Sequence, residues 1–313
     1  MPRALIIGSG GQDGQYLFDL LNKEGYFVVG IDRGQVRISG DDFQLSPINI
    51  CQANQVNELV QGLQPDEIYH LAAFHHSSQD DFSDSAAVLE NSYQVHVLSL
   101  FTFLEAVRIY SPGSKLFYAA SSHIFGLPAT APQDELTPIN PISLYGITKA
   151  AGLFLCRNYR SQHNLFASAG ILYNHESPLR AEKFVSQKII QGVLRIQQQL
   201  SDQLALGDLG AEADWGYAPD YVSAMHRILQ IPQADDFIVA TGIRHSVADF
   251  VKEAFSQAGL DWEKYVREQK GLLNRHTGAL IGNPAKLSSA TGWSPSVSFS
   301  EMISIMLQQG SLH

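Results

Sequence analysis

Through residue 173, apolar positions fall into short runs that alternate with stretches of helical spacing. Residues 4–7 form a continuous apolar run, after which Tyr16, Leu17, Leu20 and Leu21 recur three and four residues apart. Runs at 27–31, 67–73, 115–120 and 165–172 repeat the strand signal. Between them lie a helical pattern over 95–109 and a helix opened by Pro141 and Ser143. Strands that are apolar along their whole length and alternate with helices predict a parallel sheet covered on both faces, a doubly wound α/β fold.

After Asn174 the alternation loosens. A helix is predicted over 184–200 and a short strand returning to the sheet over 237–240. Ser246 and Asp249 form a capping box for a helix with Val247, Phe250, Val251, Ala254 and Phe255 inward and Gly259 as its stop. Glycine, proline and aromatic residues cluster from Trp293 to Phe299. This half is expected to form a smaller lobe built from non-contiguous pieces.

The first strand leads into Gly8-Ser9-Gly10-Gly11-Gln12-Asp13-Gly14. Glycines at 8, 11 and 14, with a strand before and a helix after, suit a turn that lets a diphosphate approach the backbone at a helix N-terminus. The second strand ends at Asp32, where a carboxylate accepts hydrogen bonds from an adenosine ribose. It would also repel a 2′-phosphate by roughly 4 kcal/mol at about 4 Å, partly offset by Arg33, so NAD is favoured and NADP remains possible. The expected architecture is a dinucleotide-binding Rossmann domain over 1–173, with a return segment at about 214–245. A substrate-binding C-terminal lobe would comprise 174–213 and 246–313.

Composition narrows the partners. The net charge of −10 leaves no basic excess for nucleic acid or an anionic membrane surface. No run approaches the ~18 apolar residues of a membrane span. Two cysteines, Cys51 and Cys156, supply neither a disulfide framework nor metal-ligand spacing, which fits a reducing cytoplasm.

The candidate chemistry lies between Ser121 and Lys149. Tyr145 is the only one of the twelve tyrosines with a lysine four residues on, a spacing that puts both side chains on one helix face. An ammonium beside a phenol favours phenolate, so Tyr145 is expected to exchange a proton in alcohol-to-ketone chemistry. Ser121 falls at the end of a buried strand, where parallel sheets present active residues, and its hydroxyl would share the reacting oxygen.

These residues resemble an extended short-chain dehydrogenase/reductase, and most of all the GDP-mannose 4,6-dehydratase family. The resemblance covers nearly the whole chain. It rests on Gly11-Gln12-Asp13-Gly14, on Tyr145 with Lys149, on Asn174-His175-Glu176-Ser177-Pro178, on Asp214-Trp215-Gly216-Tyr217 and on Ala240-Thr241-Gly242. It implies hydride removal from hexose C4 by the dinucleotide, loss of the C5 proton, departure of water from C6 and return of the hydride to C6. Tyr145 would then be the base at the C4 hydroxyl, Lys149 its tuner and nicotinamide-ribose anchor, and Ser121 the hydroxyl partner. Asn174 and Arg275 would hold the substrate diphosphate. The candidate cofactor contacts are Gly8, Gly11, Gln12, Asp13, Gly14, Asp32, Arg33, Asn49, Leu71, Ala72, Ala73, Tyr145 and Lys149. The candidate substrate contacts are Ser122, His76, Asn174, Glu176, Lys188 and Arg275. The substrate is expected to be a nucleotide-diphosphate sugar, with a GDP-hexose favoured.

Three departures from the family pattern stand out. His123 aligns with the glutamate that handles the C5 proton and the C6 oxygen, and a neutral imidazole can take that acid/base task. The arginine-containing loop after the second strand is shortened over 33–47, which with Asp32 points to NAD and to a homodimer. Glu212-Ala213 replaces Lys-Arg, removing a charge-assisted hydrogen bond worth about 1.5–3 kcal/mol. His75 and His76 with Asp80 and Asp81 lack a third constrained ligand, so no metal is expected. Two readings compete with dehydration: a 4-dehydrogenase, 4-ketoreductase or C4 epimerase, for which Ser121, Tyr145 and Lys149 suffice, and a cofactor-binding protein without catalysis.

Overall fold

The computed structural model describes residues 1–40, 45–74, 85–269 and 279–310. Its first half runs β1 (Arg3–Ile7), α1 (Gln12–Lys23), β2 (Phe27–Asp32), β3 (Gln35–Ile38), α2 (Ala53–Leu63) and β4 (Glu67–His70). Then follow α3 (Ser85–Tyr93), a π-helical stretch (Gln94–Leu98), α4 (Ser99–Tyr110), β5 (Lys115–Ser121), a 3₁₀ turn (Ser122–Phe125), α5 (Leu144–His163) and β6 (Phe166–Leu172). The second half contains β7 (Asn174–Glu176), α6 (Val185–Gln197), β8 (Leu204–Leu206), β9 (Glu212–Tyr217), α7 (Ala218–Gln230) and β10 (Asp236–Val239). It ends with β11 (Arg244–Ser246), α8 (Val247–Gln257), α9 (Trp262–Tyr265), β12 (Val266–Glu268), α10 (Ala285–Thr291) and α11 (Phe299–Gln309).

Seven strands form the main sheet in the order β10-β6-β5-β4-β1-β2-β3. All neighbours are parallel except β3, which turns back antiparallel on β2. The predicted doubly wound sheet is therefore present, with a short hairpin edge. Helices α1 and α7 pack together, as do α2 with α4 and α4 with α5. Strand order reverses at β1, which lies between β2 and β4. A crevice therefore opens beyond the carboxyl ends of β1 and β4, the usual ligand position of such sheets.

Among the described residues, buried apolar side chains form two clusters. One combines the sheet with its helices and includes Tyr221, Ile238, Leu287 and Trp293. The other joins Ile189, Ile190, Trp215, Phe250, Phe255 and Met302. Three details differ from the sequence reading. The return to the main sheet begins with α7, because β9 pairs with β7 and β11 in a separate small sheet. The helix over 185–197 stops short of residue 200. The helical pattern expected over 95–109 is continuous in apolar spacing but contains a π turn at its start, which carries the buried His96. The expected capping box forms at Ser246 and Asp249, and Gly259 adopts a φ of +70° just past that helix.

Candidate active site

The turn between β1 and α1 is shaped by close approach. Gly8 has a φ of +92°, and a Cβ there would lie 2.7 Å from the Ala72 backbone nitrogen. Only glycine permits both. Gly11, the N-cap of α1, offers no side-chain oxygen to the first-turn N–H groups, so those donors and the helix dipole are directed at an anion. Asp32 stands at the rim, its Oδ2 accepting from Gly10 N at 2.6 Å and its Oδ1 from Arg33 N at 2.7 Å. A glycine cradle with an uncapped helix and a fixed carboxylate fits a dinucleotide's diphosphate and adenosine ribose.

The turn opens into a cavity of about 1290 Å³. All the candidate cofactor residues line it, including Arg33, Asn49 and the 71–73 stretch after β4, as do Ser121, His123, Tyr145, Lys149, Asn174, Glu176 and Lys188. Ser122 is buried and lines a side cavity of about 60 Å³ with His123, Asn174 and Glu212. Candidate residues His76 and Arg275 lie outside the described residues, as do His75, Asp80 and Asp81.

At the centre, Ser143 caps α5 by accepting from Gly146 N at 3.1 Å, which places Tyr145 in the first turn beside the end of β5. The Ser121 hydroxyl hydrogen-bonds the Tyr145 phenol. Lys149 is 1% exposed, and its Nζ donates to Ala119 O at 2.7 Å. The Nζ lies 5.7 Å from the Tyr145 ring centroid. The expectation that this ammonium acidifies the phenol is not met in the protein alone. Burial raises Tyr145 above the ordinary phenol value, against smaller lowering by Ser121 and Arg180. Burial likewise pushes Lys149 down to about 7. The physical reason is desolvation, which penalises both charged forms and outweighs a lysine that bonds a carbonyl instead of the phenol oxygen.

Among the described residues, the imidazoles of His123 and His96 meet the Tyr145 ring edge to face, at 5.7 Å and 5.3 Å between centroids. His123 follows directly from the strand end, where its N–H donates to Ser121 Oγ at 3.3 Å. His96 carried no sequence signal, because a lone histidine in an apolar helical pattern reads as core.

The side chains of Gln12 and Asp13, expected to face the cofactor, turn to the strand after β6. Gln12 Nε2 donates to His175 O at 3.1 Å, and Ser177 Oγ donates to Gln12 Oε1 at 2.8 Å. Asp13 Oδ2 lies 2.9 Å from His175 Nε2, and the His175 ring stacks on Tyr221 at 4.6 Å. Burial alone would raise Asp13 and lower His175, but their mutual charge and hydrogen bond reverse both: Asp13 is lowered and His175 raised. The hydrogen bond to His175 thus engages the one carboxylate at the helix end that receives the diphosphate.

Glu176, expected as a substrate contact, is 2% exposed and accepts from Ser186 Oγ at 2.6 Å. Its Oε2 lies 3.1 Å from Arg180 Nε, within ion-pair distance although not aligned as a hydrogen bond. Glu176 thus lines the cavity with its carboxylate turned to Arg180. Arg180 was missed in the sequence; its guanidinium stacks on Phe184 at 3.6 Å and lowers both Tyr145 and Asp13. The only available signal was its spacing of four from Glu176.

A doubly wound sheet with a glycine turn at its switch point and a serine–tyrosine–lysine set beside it defines an extended short-chain dehydrogenase/reductase. The chain belongs to the GDP-mannose 4,6 dehydratase family, which it matches over residues 5–306. It is 35% identical to GDP-mannose 4,6 dehydratase 2 of Arabidopsis thaliana, across 98% of this chain and 86% of that protein. Among solved structures it superposes on RMD from Pseudomonas aeruginosa complexed with NADPH, with a TM-score of 0.85, 18% identity and coverage of 99% and 98% of the two chains. dTDP-glucose 4,6-dehydratase from Bacillus anthracis in complex with NAD gives 0.83, 18%, 99% and 96%. These likenesses establish a shared fold.

Proposed function

We propose that the protein is an NAD(P)-dependent enzyme acting on a nucleotide-diphosphate sugar, a GDP-hexose by family membership, through oxidation at C4 followed by loss of water between C5 and C6. The observation that carries this reading is the convergence of the glycine turn, Ser121, Tyr145, Lys149 and His123 on one cavity. The fixed Asp32 carboxylate favours NAD over a 2′-phosphorylated cofactor.

When bound, an oxidised nicotinamide supplies hydride acceptance and return, and its positive ring favours phenolate. Tyr145 takes the proton of the C4 hydroxyl, and Ser121 donates a hydrogen bond to the same oxygen. His123, on the edge of the Tyr145 ring, takes the C5 proton and delivers it to the departing C6 hydroxyl, so that water leaves; when the hydride returns to C6, C5 is protonated by the equivalent that Tyr145 took from the C4 hydroxyl. Lys149 anchors the nicotinamide ribose. Arg180, Lys188 and Asn174 provide the polar wall for the sugar diphosphate.

Incubation with GDP-mannose and related nucleotide sugars tests the reading. Accumulation of a 4-keto-6-deoxy sugar supports it; net NADH formation or inversion at C4 replaces it with a 4-dehydrogenase or epimerase. Tyr145→Phe should lower kcat by about 10²- to 10⁴-fold. Unchanged turnover in His123→Ala would remove that imidazole from the mechanism.

Family membership and the absence, among the described residues, of a helix long and apolar enough to cross a membrane support placing the enzyme in the cytoplasm. Its unpaired Cys51 and Cys156 fit that compartment. The two buried clusters support a division into cofactor and substrate lobes. A homodimer is supported by adjacent α4 and α5, which expose Phe101, Ile109, Ile147 and Phe154. Apolar positions so spaced form stripes that a second copy would cover.

A further inference from the structure

We propose that His96 is a positioning residue that locks the catalytic helix to the cofactor side of the cavity, acting only as the neutral tautomer protonated at Nδ1. The inference rests on the reading of Tyr145 as the acid/base group.

His96 is fully buried in the π-helical stretch between α3 and α4. Its Nε2 accepts from the Phe74 backbone N–H at 2.9 Å. Its Nδ1 lies 2.8 Å from Thr148 Oγ1. A backbone N–H can only donate, so Nε2 carries no proton, and in the neutral ring Nδ1–H must then donate to the threonine. Thr148 Oγ1 in turn donates into the α5 backbone, with Tyr145 O at 3.0 Å and Leu144 O at 3.2 Å as its acceptors. The same imidazole meets the Tyr145 ring at 89°.

Each end of this link adjoins residues that line the cavity. Phe74 follows Leu71, Ala72 and Ala73, which line the cavity, and Ala72 is the residue against which Gly8 packs. Thr148 lies between Tyr145 and Lys149 on α5. One side chain therefore sets the spacing between the wall expected to receive the dinucleotide and the helix carrying the phenol and amine. His96 sits within the π turn, and such insertions recur at functional sites.

The two contacts are separable by shape. Glutamine reaches about as far as Nε2, so His96→Gln keeps an acceptor for Phe74 and loses the bond to Thr148. Asparagine reaches about as far as Nδ1, so His96→Asn keeps the Thr148 bond and loses Phe74. His96→Gln should lower kcat on the order of 10- to 100-fold with the dissociation constant for NADH near wild type. Thr148→Val, which removes only the hydroxyl, should reproduce that loss. His96→Asn should instead weaken NADH binding about fivefold with the smaller effect on kcat. Nitrogen NMR of histidine-labelled protein should show a proton on Nδ1 and none on Nε2. The proposal is overturned if Nε2 is the protonated nitrogen, if Thr148→Val has wild-type kcat, or if all variants lose kcat and NADH binding together in proportion to lost folded protein. Should the His96 variants fail to fold, Thr148→Val and the NMR measurement still decide. If the wild type turns over no nucleotide sugar, the functional reading fails alone, because the NADH and NMR arms require no sugar.

Discussion

Lys149 shows what burying a charged side chain costs. Its ammonium is shielded from water, and the hydrogen bond to Ala119 O does not restore the lost hydration, so its folded value falls to about 7 from about 10.4 in an unfolded chain. The sign follows from proton counting. Below pH 7 both states bind the proton and the desolvation penalty is felt in full. As pH rises from 7 towards 10 the folded state holds fewer protons than the unfolded state, and stability rises. Lys149→Met removes the penalty and its pH dependence. Relative to wild type it should be more stable at pH 6 by about 1–3 kcal/mol, with the advantage shrinking by pH 9, while hydride transfer is lost. Denaturant unfolding at the two pH values measures this. An unchanged difference between them would show that the amine is not depressed. At this scale the sequence pointed to side chains that meet at one cavity and misjudged their acidity, because the spacing of Tyr145 and Lys149 says nothing about water access.

The β1–turn–α1 unit shows how much a local element can disclose. Its strand run, glycine spacing and helical period all appear in order, and each has a steric reason in the fold. Gly14 is the clearest case: a Cβ there would overlap Gly8 O and lie 2.6 Å from Ser9 Cα, backbone atoms that cannot swing away. Gly14→Ala should therefore destabilise the protein by about 1–3 kcal/mol and abolish measurable NADH binding, read by thermal unfolding and fluorescence titration. Gly25→Ala supplies a useful contrast, since no atom crowds that Cβ even though its φ is +81°. Elements whose form depends on remote partners were less legible. The π turn at 94–98 keeps apolar spacing on both sides, so only the bonds to Phe74 and Thr148 reveal the inserted residue. Similarly, the Asp214-Trp215-Gly216-Tyr217 and Ala240-Thr241-Gly242 strings appear in the chain as separate motifs. They prove to be one clamp, with Asp214 accepting from Thr241 N at 2.9 Å, Thr241 Oγ1 at 2.6 Å and Gly242 N at 2.9 Å.

For the whole molecule, the exposed stripes on α4 and α5 make association the natural expectation. Sedimentation should give a dimer, and Phe101→Arg with Phe154→Arg should shift it to monomer without unfolding; a wild-type monomer at micromolar concentration would refute the interface. The amino-acid sequence by itself determined the alternation of strands and helices, the dinucleotide turn, the Asp32 rim and the Ser121, Tyr145 and Lys149 set, because each follows from contacts within a few residues or from a repeat of 2 or 3.6. Only the tertiary structure decided that Asp13 answers to His175, that Glu176 steadies Arg180, that β9 leaves the main sheet and that His96 joins two walls of the cavity. Those outcomes depend on residues far apart in the chain competing for the same buried partners and on how completely water is excluded around them. Neither quantity is written in local spacing.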